Sequence, residues 1–434
     1  MSSGIILAAP KSGSGKTLIV AALLRHLRDS GICVAAKCGP DYIDPTFHAL
    51  ASGRPCINLD PWAMRPATLA ALVSDLERSA DLVLCEGVMG LFDGAGPDGE
   101  AGSTAELARI TGWPVVLVVD ANGQSGSVAA LVEGFARHDP EVPLAGVMLN
   151  RVASPRHRAL LSGATARHLP DVPVLGAMPG AESLVLASRH LGLVPAEEAG
   201  GIDALLDRAA AQLAESCDID RLTALAKPAR CAEAAGSPGL PPLGQHIAVA
   251  RDAAFLFTYD ATLAGWRRQG AELSFFSPLA DEPPSPQADA VYLPGGYPEL
   301  HAGRIAAASR FLVGLRGGDR TIYGECGGYM VLGESLTEAG GVMHRMAGLL
   351  PLKTSFAERH RHLGYRTVRL LASSPLGHEG AHFRGHEFHY ATMIEEKGEP
   401  LFVVGDPSGN DLGRAGLRCG NIIGSFIHLI DRAD

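Results

Sequence analysis

The chain is 434 residues long, 47% hydrophobic and 19% charged, a globular balance that excludes a disordered chain and exceeds what one ordinary core holds. A formal net charge of -10 and a pI near 5.9, with no basic stripe, exclude a nucleic-acid binder. The longest apolar runs, such as residues 115–119, are strand-sized and well short of the ~20 residues that cross a bilayer, so no membrane span is expected.

In chain order, apolar runs at 5–9, 34–37, 82–85, 115–120, 146–149 and 174–177 alternate with helix-like stretches. They predict a parallel sheet with helices on both faces. The first run leads into Pro10-Lys11-Ser12-Gly13-Ser14-Gly15-Lys16-Thr17 and then an apolar helix, the strand, loop and helix context of a phosphate-binding loop. Gly13 and Gly15 let backbone amides close round phosphate, Lys16 reaches the outer phosphates and Thr17 can ligate Mg²⁺. Pro10 stands where the first glycine belongs, and Lys11 occupies the place of the second lysine of deviant P-loop ATPases of the dethiobiotin-synthetase and MinD type.

The runs at 34–37 and 82–85, read as strands two and three, end in Lys37-Cys38-Gly39-Pro40-Asp41 and Glu86-Gly87-Val88-Met89-Gly90. In an open parallel sheet the carboxyl ends face one crevice, so Asp41 and Glu86 are the candidate metal carboxylates beside Thr17. Asn150 ends the run at 146–149, from where its amide could pair with the base of the bound ATP.

Between 217 and 245 the pattern breaks into Ala, Pro and Gly, an expected linker between a nucleotide domain at 1–216 and a second α/β domain at 246–434. The latter opens with runs at 247–250, 273–276, 290–293 and 321–323 and closes with one at 422–427. Cys326 in Gly324-Glu325-Cys326-Gly327-Gly328 lies between strand and helix, as in a nucleophile elbow whose helix amides favour thiolate. Gly295 and Gly296 offer oxyanion-hole amides after an upstream strand. His428, at the end of the last run, is the expected base, with His386-Glu387-Phe388-His389 as a rival segment. Glutamine amidotransferases of class I carry His-x-Glu here, whereas the third position is Ile430, leaving a Cys-His dyad. The remaining cysteines are scattered without a C-x-x-C pair and no signal peptide precedes the first strand, which points to reduced thiols in the cytoplasm.

Together with Gly39-Pro40-Asp41-Tyr42-Ile43-Asp44-Pro45, Arg189-His190-Leu191-Gly192-Leu193-Val194-Pro195, Gly295-Gly296-Tyr297-Pro298-Glu299 and Phe383-Arg384-Gly385-His386-Glu387-Phe388-His389, these motifs resemble the cobyrinic and hydrogenobyrinic acid a,c-diamide synthase family. The absent third triad residue is a trait of that family. The resemblance implies ATP- and Mg²⁺-dependent amidation of a corrinoid polycarboxylate through an acyl phosphate, with ammonia released from glutamine at Cys326 and His428. It makes Lys11 to Thr17 and Asn150 the ATP residues, and Lys37, Asp41, Tyr42, Ile43, Asp44 and Asp93 the substrate residues. An enclosed passage for ammonia is expected, and Lys11 points to a homodimer. Arg156-His157-Arg158, Arg189-His190 and Arg359-His360-Arg361-His362 with Arg366 are candidate partners for the other corrinoid carboxylates. The alternatives are the same chemistry on another tetrapyrrole such as nickel sirohydrochlorin, or a MinD- or ParA-like ATPase switch, for which Cys326 would have no use.

Overall fold

Strands apolar at nearly every position must be covered by helices on both faces, and the first half of the chain is built that way. The computed structural model of the protein describes residues 2–181, 184, 188–189, 192–193, 200–231 and 239–433. The chain divides into two units, residues 1–62 with 66–237, and residues 63–65 with 238–434.

The first unit holds β1 (Ser3–Ala8), β2 (Cys33–Cys38), β3 (Cys56–Leu59), β4 (Leu82–Glu86), β5 (Val115–Asp120), β6 (Leu144–Val152) and β7 (Val174–Pro179), in the order β3-β2-β4-β1-β5-β6-β7. All neighbours are parallel. Helices α1 (Lys16–Leu27) and α2 (Asp44–Ser52) follow β1 and β2. The core joins Ile5 and Leu7 of β1, Ile19 and Leu23 of α1, and Leu84 of β4. Because β4 lies between β1 and β2, the phosphate loop, the segment after Cys38 and Glu86 leave the sheet side by side.

One strand was not legible. β3 has four residues, one of them Asn58, whose Nδ2 donates to the carbonyls of Gly39 and Asp41 at 2.9 and 2.8 Å. Glu86 therefore closes the fourth strand, not the third. The expected linker also needs correction. A helix at Ile219–Ala224 sends Ile219 and Leu222 into the first core, and Lys227 exchanges backbone hydrogen bonds with Gly4 at 2.8 and 3.1 Å. The segment's apolar side chains Ile219, Leu222 and Leu225, one per turn, were hidden among Ala, Lys and Arg. The motif at 189–195 falls mostly outside the described residues; only the backbones of β8 (Ser188–Arg189) and β9 (Gly192–Leu193) are described, as an antiparallel pair.

The second unit opens with β10 (His246–Ala250), β11 (Glu272–Phe276), β12 (Ala290–Leu293) and β13 (Thr321–Glu325). It continues with β14 (Ser335–Thr337), β15 (Met343–Arg345), β16 (Leu352–Ser355), β17 (His362–Leu370) and β18 (His382–His389). The last strands are β19 (Thr392–Glu396), β20 (Glu399–Gly405), β21 (Asp411–Cys419), β22 (Ile422–Ser425) and β23 (Ile427–Arg432). Ten of them form one sheet, β11-β10-β12-β13-β22-β21-β20-β17-β18-β23, and β15-β14-β16-β19 form a smaller one. The sheet is parallel from β11 to β22 and antiparallel beyond.

The run at 422–427 was expected to be one strand ending at His428. It breaks at Phe426: β22 pairs with β13, while β23 leaves to pair with β18 and sets His428 opposite His386. The Ser425 hydroxyl accepts the Ile427 amide at 3.2 Å and satisfies the backbone at the break. β17 and β21 escaped the sequence because they carry exposed charged residues and make no continuous apolar run, whereas β20 does contain one, at 401–404, that was passed over.

If residues 219–231 belong to the first core, Leu222→Ala removes a fully buried side chain. The expected loss is about 2–4 kcal/mol, a fall of roughly 4–16 °C in the Tm of the affected transition. A linker position would shift Tm by less than about 1–2 °C.

Candidate active sites of the two units

The phosphate loop closes by glycine geometry. Gly13 and Gly15 take φ of 78° and 92°, and a Cβ on Gly15 would stand 2.2 Å from Asn150 Nδ2. That Nδ2 donates to the Ser14 carbonyl at 2.8 Å, and Asn150 Oδ1 accepts the Arg151 amide at 2.9 Å. Nδ2 thus braces the loop, while Oδ1 is engaged by the backbone of the residue that follows Asn150. Lys11, Ser12 and Gly13 are exposed, and the Ser14 hydroxyl donates to the Lys11 carbonyl at 2.9 Å. Lys16 is buried and folds back to donate to the Met89 carbonyl at 2.6 Å. Burial lowers its pKa, against the pull of Glu86. Met89 itself sits at φ 45°, a sparsely populated conformation of the kind found in switch loops.

Thr17 and Glu86 meet: the hydroxyl donates to Glu86 Oε1 at 2.9 Å. Glu86 Oε2 faces His48 Nε2 at 2.6 Å and Lys37 Nζ at 3.2 Å, and Lys37 also reaches Asp44 Oδ2 at 2.5 Å. Burial alone would raise Glu86, but Lys37 and His48 outweigh it and hold the carboxyl at about 2. Lys37 faces Asp44, Glu86 and Asp41 and is held well above its ordinary value against the cost of burial. Asp44 is pushed up to about 8 by burial and by Asp41 and Glu86, against Lys37. Asp41 Oδ1 accepts the amides of Ile43 and Asp44 at 2.7 and 3.1 Å, so this oxygen shapes the turn into α2. Ile43 is buried beneath the turn and Tyr42 half-buried on it. Asp93 Oδ2 accepts the Gly90 amide at 2.9 Å and fixes the turn after β4. His48 was missed, although its place four residues after Asp44 on α2 puts both on one helix face. Thr104, which bonds both backbone groups of Val88, left no sequence signal.

In the second unit Cys326 stands at φ 47°, ψ -103° between β13 and a helix at Gly327–Leu332, the strained elbow expected for a nucleophile. The turn has no room for side chains: a Cβ on Gly328 would lie 1.9 Å from the Leu293 carbonyl, and one on Gly296 2.2 Å from that of Ala254. A Cβ on Gly295 would meet His428 Cε1 at 2.3 Å, His428 Nε2 at 3.1 Å and Cys326 Cβ at 3.3 Å. Gly295, Cys326 and the His428 ring therefore enclose one spot.

Burial, with the carboxylates of Glu299, Glu325 and Glu387, pushes the Cys326 thiol up against the opposing Gly327 amide. The balance favours the thiol over the expected thiolate and gives a base a proton to take. His386, the rival, is held at about 3 by burial and by His428 and Arg366, so it stays neutral.

Two family models cover this division. That of the CobQ/CobB/MinD/ParA nucleotide binding domain matches residues 5–193, and that of the CobB/CobQ-like glutamine amidotransferase domain matches residues 246–434. The chain is 53% identical to the hydrogenobyrinate a,c-diamide synthase of Rhizobium meliloti, over 99% of each chain. The synthases of Brucella anthropi, at 54% over 99% of this chain and 98% of that one, and Rhodobacter capsulatus, at 51% over 98% of each, agree. The chain belongs to the hydrogenobyrinate a,c-diamide synthase family. As a member of that family it is an amidating enzyme with a nucleotide-binding domain and a glutamine amidotransferase domain.

Glu387 and His389, singled out in the sequence, join His362 in a group whose ligand atoms lie within 4.8 Å of one another. The rings of His362 and His389 are stacked, 4.6 Å apart and 12° from parallel, so their in-plane lone pairs run side by side and cannot converge on one ion. Glu387 instead forms an ion pair with Arg366 Nε at 2.7 Å and a hydrogen bond with His389 Nε2 at 3.0 Å. Arg366, a candidate for corrinoid carboxylates, is thus engaged within its own sheet, whereas Arg359, His360 and Arg361 are exposed. The cluster at 156–158 opens the helix Pro155–His168, where His157 Nε2 faces the Gln124 carbonyl at 2.7 Å.

Burial raises Glu387 but His389 and Arg366 outweigh it, bringing the carboxyl down from 4.5 to about 2. A folded value below the unfolded one stabilises the fold above about pH 4.5, and that stability is lost as pH falls toward 2. Glu387→Gln should therefore lower stability at pH 7 by an amount of the order of 3 kcal/mol. The gap to the parent should close between about pH 4.5 and pH 2 in thermal melts.

Proposed function

We propose that the chain uses ATP and glutamine to amidate the a and c acetate carboxylates of a corrinoid, hydrogenobyrinic acid or its cobalt-bearing counterpart. The relatives named for hydrogenobyrinate a,c-diamide synthesis support this substrate because the identity extends over the full chain. The carrying observation is that one chain holds both Thr17 on Glu86 beside a phosphate loop and a strained Cys326 facing the His428 ring.

A carboxylate would have to expel oxide, so its oxygen first attacks the γ-phosphorus of ATP, giving an acyl phosphate and ADP. Lys16, released from the Met89 carbonyl, and the loop amides neutralise the transferring phosphoryl group. Oxygen donors suit Mg²⁺, and Thr17 and Glu86 Oε1 are the groups to hold it; bound there it would offset phosphate charge. Asp41 enters as the residue that shapes the substrate turn, with Lys37, Tyr42, Ile43, Asp44 and Asp93 around it. Asn150 serves ATP by bracing the loop.

At Cys326 the thiol proton passes to His428 Nε2 as sulfur attacks the glutamine carboxamide. The amides of Gly295 and Gly296 serve the oxyanion. The C–N bond breaks, His428 returns the proton to the leaving nitrogen as ammonia, and water then cleaves the thioester to glutamate. Ammonia displaces phosphate from the acyl phosphate. The exposed Lys11 is available to a second copy of the chain, which favours a homodimer. No helix among the described residues is long and apolar enough to cross a membrane, and we place the enzyme in the cytoplasm.

Incubation with ATP, Mg²⁺, glutamine and either corrinoid acid should give a product with two new amides by mass spectrometry, and none with either acid overturns the proposal. Cys326→Ala should lower glutamine-driven synthesis by at least about 10³-fold while concentrated ammonia still supports it.

A further inference from the structure

We infer that Glu325, the residue before the nucleophile, is the positioning carboxylate of His428. This rests on the assignment of Cys326 and His428 as the glutaminase pair. The sequence offers Ile430 where a His-x-Glu would put its carboxylate, yet Glu325 Oε2 lies 3.6 Å from His428 Nδ1. That separation needs to shorten by roughly 0.6–0.8 Å to become a hydrogen bond, the tightening that catalytic contacts undergo when substrate binds.

The carboxylate is fixed where it stands. Glu325 is 3% exposed, and its oxygens accept the Tyr292 hydroxyl on Oε2 at 2.6 Å, and the Tyr323 hydroxyl and Leu429 amide on Oε1 at 2.7 and 3.1 Å. Burial and the adjacent Glu325 charge push both tyrosines well up, so each remains a donor. Three donors replace water around a buried anion. The break at Phe426 supplies the rest, because β23 carries both the Leu429 amide that anchors Oε1 and the His428 ring that faces Oε2.

The ring is used from two sides. Its Cε1 and Nε2 edge faces Gly295 and Cys326, and its Nδ1 faces Glu325. A carboxylate on Nδ1 holds the proton there and leaves the Nε2 lone pair for the thiol, which a neutral thiol at Cys326 requires. The triad is completed from the strand of the nucleophile, not from the strand of the histidine.

Glu325→Gln in the full chain should cut kcat for glutamine hydrolysis by about 10²–10³-fold with KM within about threefold. A kcat within about threefold of the parent, or a loss carried by KM, overturns the inference. Cys326→Ala and His428→Asn run beside it. If either still hydrolyses glutamine, the underlying pair is wrong; if both are dead and Glu325→Gln is not, only this inference fails. Should Glu325→Gln not fold, Tyr292→Phe removes the hydroxyl from the oxygen that faces His428, and Tyr323→Phe removes one from the other oxygen, which keeps the Leu429 amide. The first should lower kcat by about tenfold and the second by less than about threefold; equal or reversed effects overturn the inference.

Discussion

In each unit a carboxylate is buried at the last residue of an inner parallel strand, Glu86 closing β4 and Glu325 closing β13, and both are almost wholly sealed from solvent. An anion in that position is tolerated only where donors replace the lost water. Much of each unit's polar architecture follows from that demand. Around Glu86 the donors are cationic or titratable, Lys37 and His48, together with the Thr17 hydroxyl. Around Glu325 they are neutral, two tyrosine hydroxyls and one amide. The difference suits two tasks. In the proposed reaction the first cluster would meet phosphate and metal charge, whereas the second faces one imidazole and would keep it in a fixed direction.

The strained residues stand next to these carboxylates. Met89 follows Glu86 by three residues and Cys326 follows Glu325 directly, both at positive φ. A strand that ends on a buried anchor can hold such a turn open, because the anchor prevents the chain from relaxing. Glycine does the complementary work at Gly296 and Gly328, where backbone oxygens leave no space for a Cβ.

Much of this was legible in the sequence, for identifiable reasons. The phosphate loop, Glu86 and Cys326 sit at strand ends, His428 directly follows the apolar run at 422–427, and strands buried on both faces announce themselves as apolar runs. What stayed hidden depended on pairing across distance. β3 is too short and polar to stand out, the helix at 219–224 is masked by alanine and charge, and antiparallel strands such as β17 and β21 carry exposed charges among their apolar residues. The break at Phe426 looked like uninterrupted strand. Glu325 was read only as a neighbour of the nucleophile, since nothing local shows that β23 returns His428 to it. Asn150 and Arg366 were placed correctly in the chain but given partners other than the Ser14 carbonyl and Glu387 that hold them.

In the reaction proposed for this chain, one unit activates a carboxylate by phosphorylation while the other supplies nitrogen. Its most direct test uses corrinoid acid labelled with ¹⁸O in the a and c carboxylates, followed by mass analysis of the phosphate released during glutamine-driven turnover. An acyl phosphate predicts one ¹⁸O atom in inorganic phosphate for each amide formed. Phosphate free of label, with amides still accumulating, would rule out the acyl phosphate.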